Sequence, residues 1–145
     1  MGIAPRDEMD SLLDTLLGFA KQQLEKRGEF FPFSASIDSS GALGMAAVDL
    51  GDEHPESADV IDALYGALSR SAAEGAIRAA GVCADVLVTP PGSSDKTDAI
   101  KTWLEHADSD PVEVFLPYSK KRLRGFTFGE VFAQSGTPRI FASRG

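Results

Sequence analysis

Cys83 is the only thiol in the chain and His106 one of two imidazoles, and a thiol nucleophile needs an imidazole within hydrogen-bond reach. Strand alternation argues against the pair. If Val82, Ala84, Val86 and Val88 point inward, Cys83, Asp85 and Thr89 turn outward, whereas His106 shares its parity with Ile100 and Leu104. Cys83 is therefore expected to be a small half-buried residue, and no catalytic residue is assigned. His54 precedes Pro55 in a polar connection, and His106 ends a strand beside Glu105 as a pH-sensitive group or as ordinary edge packing. Neither histidine has the short spacing to His, Cys or carboxylate of a zinc or facial-triad site, so no metal and no cofactor is expected.

The remaining polar clusters read as solvated segments. Asp49, Asp52, Glu53, Glu56 and Asp59 lack the spaced loop and glycine of an EF-hand. With 22 acids in the chain, chance carboxylate pairs are expected, and none is singled out for glycoside hydrolysis. The loop Pro90-Pro91-Gly92-Ser93-Ser94-Asp95-Lys96-Thr97 is not a GxxxxGK[ST] phosphate loop and joins two strands instead of opening a helix. Lys120-Lys121-Arg122-Leu123-Arg124 is the one basic cluster, a solvated loop or a meeting point for a carboxylate or anionic partner.

The elements that must position these residues belong to a chain of 145 residues, 43% hydrophobic and 25% charged, which predicts a single globular domain over 1–145. Fourteen Lys and Arg against 22 Asp and Glu give a net charge of −8, a field that repels phosphate backbones. Neither nucleic acid nor an anionic membrane is an expected partner. A lone cysteine allows no intramolecular disulfide and suits a reducing cytoplasm. The apolar stretch 12–20 contains Asp14 and Thr15 and falls short of the ~20 residues of a membrane span. Asp7, Glu8 and Asp10 stand where a signal peptide needs positive charge, so the expected localisation is cytoplasmic.

Met9, Leu12, Leu13, Leu16, Ala20 and Leu24 recur at helical steps over 7–27, and Gly28 is suited to close the helix. Phe31, Phe33, Ala35 and Ile37 then alternate with polar or proline positions, predicting a strand that Pro32 places at an edge or makes start late. Asp38-Ser39-Ser40-Gly41 supplies a turn, and 42–50 a second hairpin strand. Ser57 is the expected cap of a helix through Val60, Ile61, Leu64, Ala67 and Leu68 to Gly75. Residues 76–80 fit helix or strand, with strand preferred. Three strands follow over 77–89, 98–106 and 112–118, the last two joined by a turn at 107–111, and the Phe-rich tail is expected to dock on the domain.

The predicted order α-β-β-α-β-β-β describes an α+β fold, with a mainly antiparallel five-stranded sheet covered by two helices on one face. It resembles profilin-like and roadblock-type topologies, small modules often used for association. Alternation sends Ile100, Thr102, Leu104, Val112, Val114, Leu116 and Tyr118 inward, and Lys101, Trp103, Glu105, Glu113, Phe115 and Pro117 outward. Trp103 and Phe115 then lie on a face that should be polar, so the tail, a second copy or another protein must cover them. The leading expectation is a non-enzymatic association module, a homodimer or bound to a protein partner, using Trp103, Phe115, Glu105 and Lys101. Two alternatives stand beside it. One is a small-molecule binder or minor hydrolase with Lys96, His106, Lys120 and Arg122 around one pocket, and the other an immunity or inhibitor-type protein.

The segments Gly28-Glu29-Phe30-Phe31-Pro32-Phe33, Val88-Thr89-Pro90-Pro91-Gly92, Lys96-Thr97-Asp98-Ala99-Ile100, Leu104-Glu105-His106, Val114-Phe115-Leu116-Pro117-Tyr118 and Phe128-Gly129-Glu130-Val131-Phe132-Ala133-Gln134 resemble a family of short bacterial cytosolic proteins whose domain has no assigned function. The similarity runs from about residue 8 to 141. It implies a bacterial cytosolic single domain and carries over no catalytic residue.

Overall fold

Apolar residues at steps of three and four wind Pro5–Arg27 into α1, whose buried stripe is Met9, Leu12, Leu16, Ala20 and Leu24. Pro5 opens the helix, where its missing N–H costs nothing. Gly28 closes it in the left-handed conformation at φ 77°, its N–H donating to the Leu24 carbonyl. The structure, a computed structural model, describes residues 4–47, 56–123 and 125–141. The expected strand residues 48–50, the connection 51–55 with His54, and Arg124 lie outside the described residues.

The remaining elements are β1 (Phe33–Asp38), β2 (Leu43–Ala46), α2 (Ser57–Ala73), β3 (Ile77–Val88), β4 (Thr97–His106), β5 (Ser109–Lys120), β6 (Phe126–Phe128) and β7 (Phe132–Ser135). They form one antiparallel sheet in the order β2-β1-β3-β4-β5, and both β6 and β7 pair with the outer edge of β5. The α+β class, the two helices and the leading element order agree with the sequence expectation. Among the described residues the sheet has seven strands, not five, because the tail contributes β6 and β7. The strand assignment of 77–80 holds. β1 starts directly after Pro32 as expected, but it lies between β2 and β3, not at an edge. Ser57 is the first helical residue of α2 and Glu56 its cap, without a side-chain capping bond.

The helices lie on opposite faces of the sheet, and this corrects the one-sided arrangement. Val82 and Cys83 are adjacent in β3, so they point to opposite faces. Cys83 belongs to the core under α1, with Phe33, Ile100 and Leu104, while Val82 belongs to the core under α2, with Val60, Leu64, Leu68 and Ile140. Ala79, Ala80, Val82, Cys83 and Ala84 are all buried, the continuous apolar run of a strand covered on both sides. The inward set Val82, Ala84, Val86 and Val88 therefore faces away from Ile100, Thr102 and Leu104.

Two local irregularities re-aim polar side chains. At the start of β3 the register with β1 shifts between Ile37 and Asp38, so Arg78 is an extra residue in the ladder. The turn expected over 107–111 shortens to Ala107 and Asp108, since His106 already pairs with Ser109. A second register shift, between Leu104 and His106, accommodates Pro111 beside Glu105.

Candidate functional site

Lys101, Trp103, Glu105 and Phe115 do share one face, the one under α2. That face is roofed by the chain itself. Tyr65 of α2 meets Trp103 edge to face with ring centroids 6.1 Å apart, and Phe132 of β7 stacks on Phe115 at 4.9 Å. Phe115 is left 5% exposed. Lys101 lies between the two aromatics, its Nζ 4.2 Å from the Trp103 centroid and 5.3 Å from that of Phe115. It also pairs with Glu113 at 3.4 Å. The expected interaction face is thus an interior layer between sheet, α2 and tail.

Glu105 is the latch of that layer. Its buried carboxylate accepts hydrogen bonds from the successive backbone N–H groups of Arg139, Ile140 and Phe141, at 2.9–3.4 Å. Successive N–H groups aimed at one carboxylate satisfy both its charge and the backbone of the strap. The Arg139 guanidinium stacks on Tyr65 at 3.8 Å from the ring centroid, and the Ser69 hydroxyl donates to the Arg139 carbonyl. Burial pushes the Tyr65 phenol well above its ordinary range.

The residues proposed for a ligand pocket separate. Lys96 precedes β4, and Lys120 and Arg122 end and follow β5 at the same end of the sheet. His106 ends β4 at the other end, ten residues and roughly 30 Å away. No common pocket joins them. Cys83 faces α1 as Thr102 and His106 do, contrary to the expected parity, but it sits opposite Thr102, and His106 lies four residues and roughly 13 Å farther along β4. Burial pushes the Cys83 thiol up to about 12, far from a thiolate at neutral pH. Asp85 and Tyr118 share the α1 face too, the phenol donating to Asp85 Oδ1 at 2.7 Å.

His106 instead closes a buried ionic clasp that the sequence did not reveal. The Glu8 carboxylate, in the first turn of α1, lies 2.9 Å from His106 Nε2 and accepts from Arg78 Nε and Nη2. Asp108 N–H donates to His106 Nδ1 at 2.9 Å, so the ring proton sits on Nε2 and is donated to Glu8. The clasp ties the N-terminus of α1 to the ends of β3 and β4. One signal was available, because Glu8 stands four residues before Leu12 on the apolar stripe.

The Arg78 hydrogen bond holds the Glu8 carboxyl below its ordinary 4.5, with His106 adding to the effect and burial opposing it. A carboxyl lowered in the folded state contributes stability that is fully present above 4.5 and is lost as pH falls through the lowered value. Glu8→Gln is therefore expected to flatten the acid slope of stability, checked by urea unfolding of both proteins between about pH 3 and 6. Equal slopes would contradict the clasp.

Among the described residues the sheet ends at β2 on one side and at β6 and β7 on the other. Asp38 Oδ1 accepts from Ser40 N–H and Ala42 N–H, and Gly41 takes φ 94°, which shapes the β1–β2 turn. Asp38 N–H donates to the Ala42 carbonyl, making these two a bonded pair. Alternation then bonds Gly44 to Ser36 and Ala46 to Ser34, and turns the N–H and C=O of Leu43 and Met45 away from β1. Among the described residues no strand pairs with that outer side. Leu43 and Met45 are 39% and 44% exposed. Met45 continues into an apolar groove with Phe19, Phe33, Ala46 and Ala47.

Among the described residues no three His, Cys, Asp or Glu side chains converge as a metal site, and no helix is long and apolar enough to cross a membrane. No family model, no curated protein and no solved structure matches the chain.

Proposed function

We propose that the protein is a non-enzymatic association module that binds a protein partner or a second copy by strand addition at β2. The observation that carries this reading is the outward-facing backbone of Leu43 and Met45 beside their own exposed side chains. Strand addition takes affinity from main-chain hydrogen bonds and specificity from alternate side chains. Natural edges are blunted by Lys, Pro or inward charges, and Leu43-Gly44-Met45-Ala46 carries none of them. The other exposed large apolar residues, among them Leu87, Leu123 and Val131, belong to different segments, and scattered single residues of this kind are normal on a surface. The sequence resemblance and the lone cysteine support a bacterial cytoplasmic setting.

The test is native mass spectrometry of protein purified gently from its host, beside Met45→Lys. A lysine at the edge charges the surface a partner strand must cover. Complexes heavier than the 15.4 kDa chain that disappear in the variant support strand addition at β2. Complexes untouched by the variant, or the single chain alone, contradict it.

A further inference from the structure

We infer that the strand completing this edge is β2 of a second copy, antiparallel about a two-fold axis through Gly44; this names the partner and rests on the association reading above. The alternation that turns Leu43 and Met45 outward makes the edge self-complementary. With Gly44 on the axis, Leu43 of each copy faces Met45 of the other, and both are the residues whose N–H and C=O point outward. Each such pair exchanges both hydrogen bonds, so every outward backbone group of Leu43 and Met45 finds a partner.

Side-chain size follows the same symmetry. Residues directly opposite in an antiparallel pair share a face, so each exposed Leu43 covers an exposed Met45 on the α1 side. At the centre two Gly44 residues meet at a non-bonded position, where Cα atoms approach to about 4.5 Å. A side chain built on Gly44 would meet nothing within 4 Å in the single chain. The arrangement is isologous and closes on itself as a dimer.

Charge permits the contact. The chain carries −8 overall, yet Ala42-Leu43-Gly44-Met45-Ala46-Ala47 holds no charged side chain, so the strands that touch carry no like charges of their own. An unlike partner strand would satisfy the same backbone groups, but the symmetric order of large, glycine and large residues is met by β2 itself.

Disulfide trapping in the full chain reads the register. Two cysteines at a non-bonded antiparallel pair fall within disulfide reach, and the native Cys83 is buried and does not compete. Gly44→Cys is expected to yield a covalent dimer on mild oxidation, and Leu43→Cys, which faces Met45 of the other copy at a bonded pair, to yield none. The untagged chain purified alone is expected at twice 15.4 kDa by native mass spectrometry, and Met45→Lys at the single mass. A purified chain that stays monomeric while its host complexes still vanish in Met45→Lys overturns the second copy and leaves strand addition standing. Monomer from both sources overturns both. A dimer that survives Met45→Lys and does not cross-link through Gly44→Cys overturns both as well, since the copies then meet elsewhere.

Discussion

Glu105→Ala is expected to lower unfolding stability by about 3 kcal/mol, or roughly 10 °C in melting temperature for a chain of this size. The carboxylate is the acceptor for the backbone N–H groups of Arg139, Ile140 and Phe141. Removing it leaves buried donors with no acceptor and loosens the strap that keeps Ile140 at 4% exposure. Hydrogen exchange at 139–141 is expected to speed up before exchange in β3 or β4 does, since the strap opens without unfolding the sheet. Glu105→Gln keeps an acceptor and loses the charge, so about half the loss is expected. Chemical denaturation of the two variants with exchange readout checks both points. An unchanged exchange rate at 139–141 in Glu105→Ala would show that the latch does not hold the strap.

The second large effect is expected at Gly81, in the middle of β3. A Cβ there would stand 2.7 Å from Leu16 Cδ1, 3.0 Å from Leu104 Cδ2 and 3.0 Å from the Trp103 carbonyl oxygen. Leu16 is fully buried and the Trp103 carbonyl is backbone, so neither yields freely. The glycine lets α1 settle close onto the sheet. Gly81→Val is expected to cost about 3 kcal/mol and Gly81→Ala about half of that. Gly18→Ala in α1 is the control, because its Cβ would meet nothing within 4 Å. There the better helix propensity should stabilise by about 0.5–1 kcal/mol. Urea midpoints of the three variants give the comparison, and a Gly81→Val protein as stable as wild type would contradict the close approach.

What the sequence made legible was whatever depends on local period. Met9, Leu12, Leu16, Ala20 and Leu24 announced α1 and its buried face, Gly28 announced its end, and the alternation through Ile100 to Tyr118 announced the β4–β5 pair. Sidedness was less legible. In β3 alternate residues are apolar on both faces, and a period-two pattern cannot tell a strand with one buried face from a strand with two when Ala80, Val82 and Cys83 all suit a core. That ambiguity placed both helices on one side and made Trp103 and Phe115 look exposed. β6 and β7 are three and four residues long, too short for a period to register, and their pairing to β5 is a tertiary event.

The polar cores were hidden for a different reason. Glu8 meets Arg78 at a separation of 70 residues and His106 at 98, and Glu105 meets the strap 34–36 residues on. Charged residues in a helical first turn or at a strand end read as solvated until a distant partner is known. The cover over Trp103 and Phe115 was hidden in the same way, since Tyr65 and Phe132 come from distant segments. Leu43, Gly44 and Met45 read as an apolar run pairing back on β1, which they do, and only the bonding alternation shows which of their backbone groups turn away from it.

Association through the β2 edge is read in one experiment by native mass spectrometry of the chain beside Met45→Lys. The expected result is a complex above 15.4 kDa that the substitution reduces to the single chain. A complex of unchanged mass in the variant, or a wild-type chain found only alone, would contradict it.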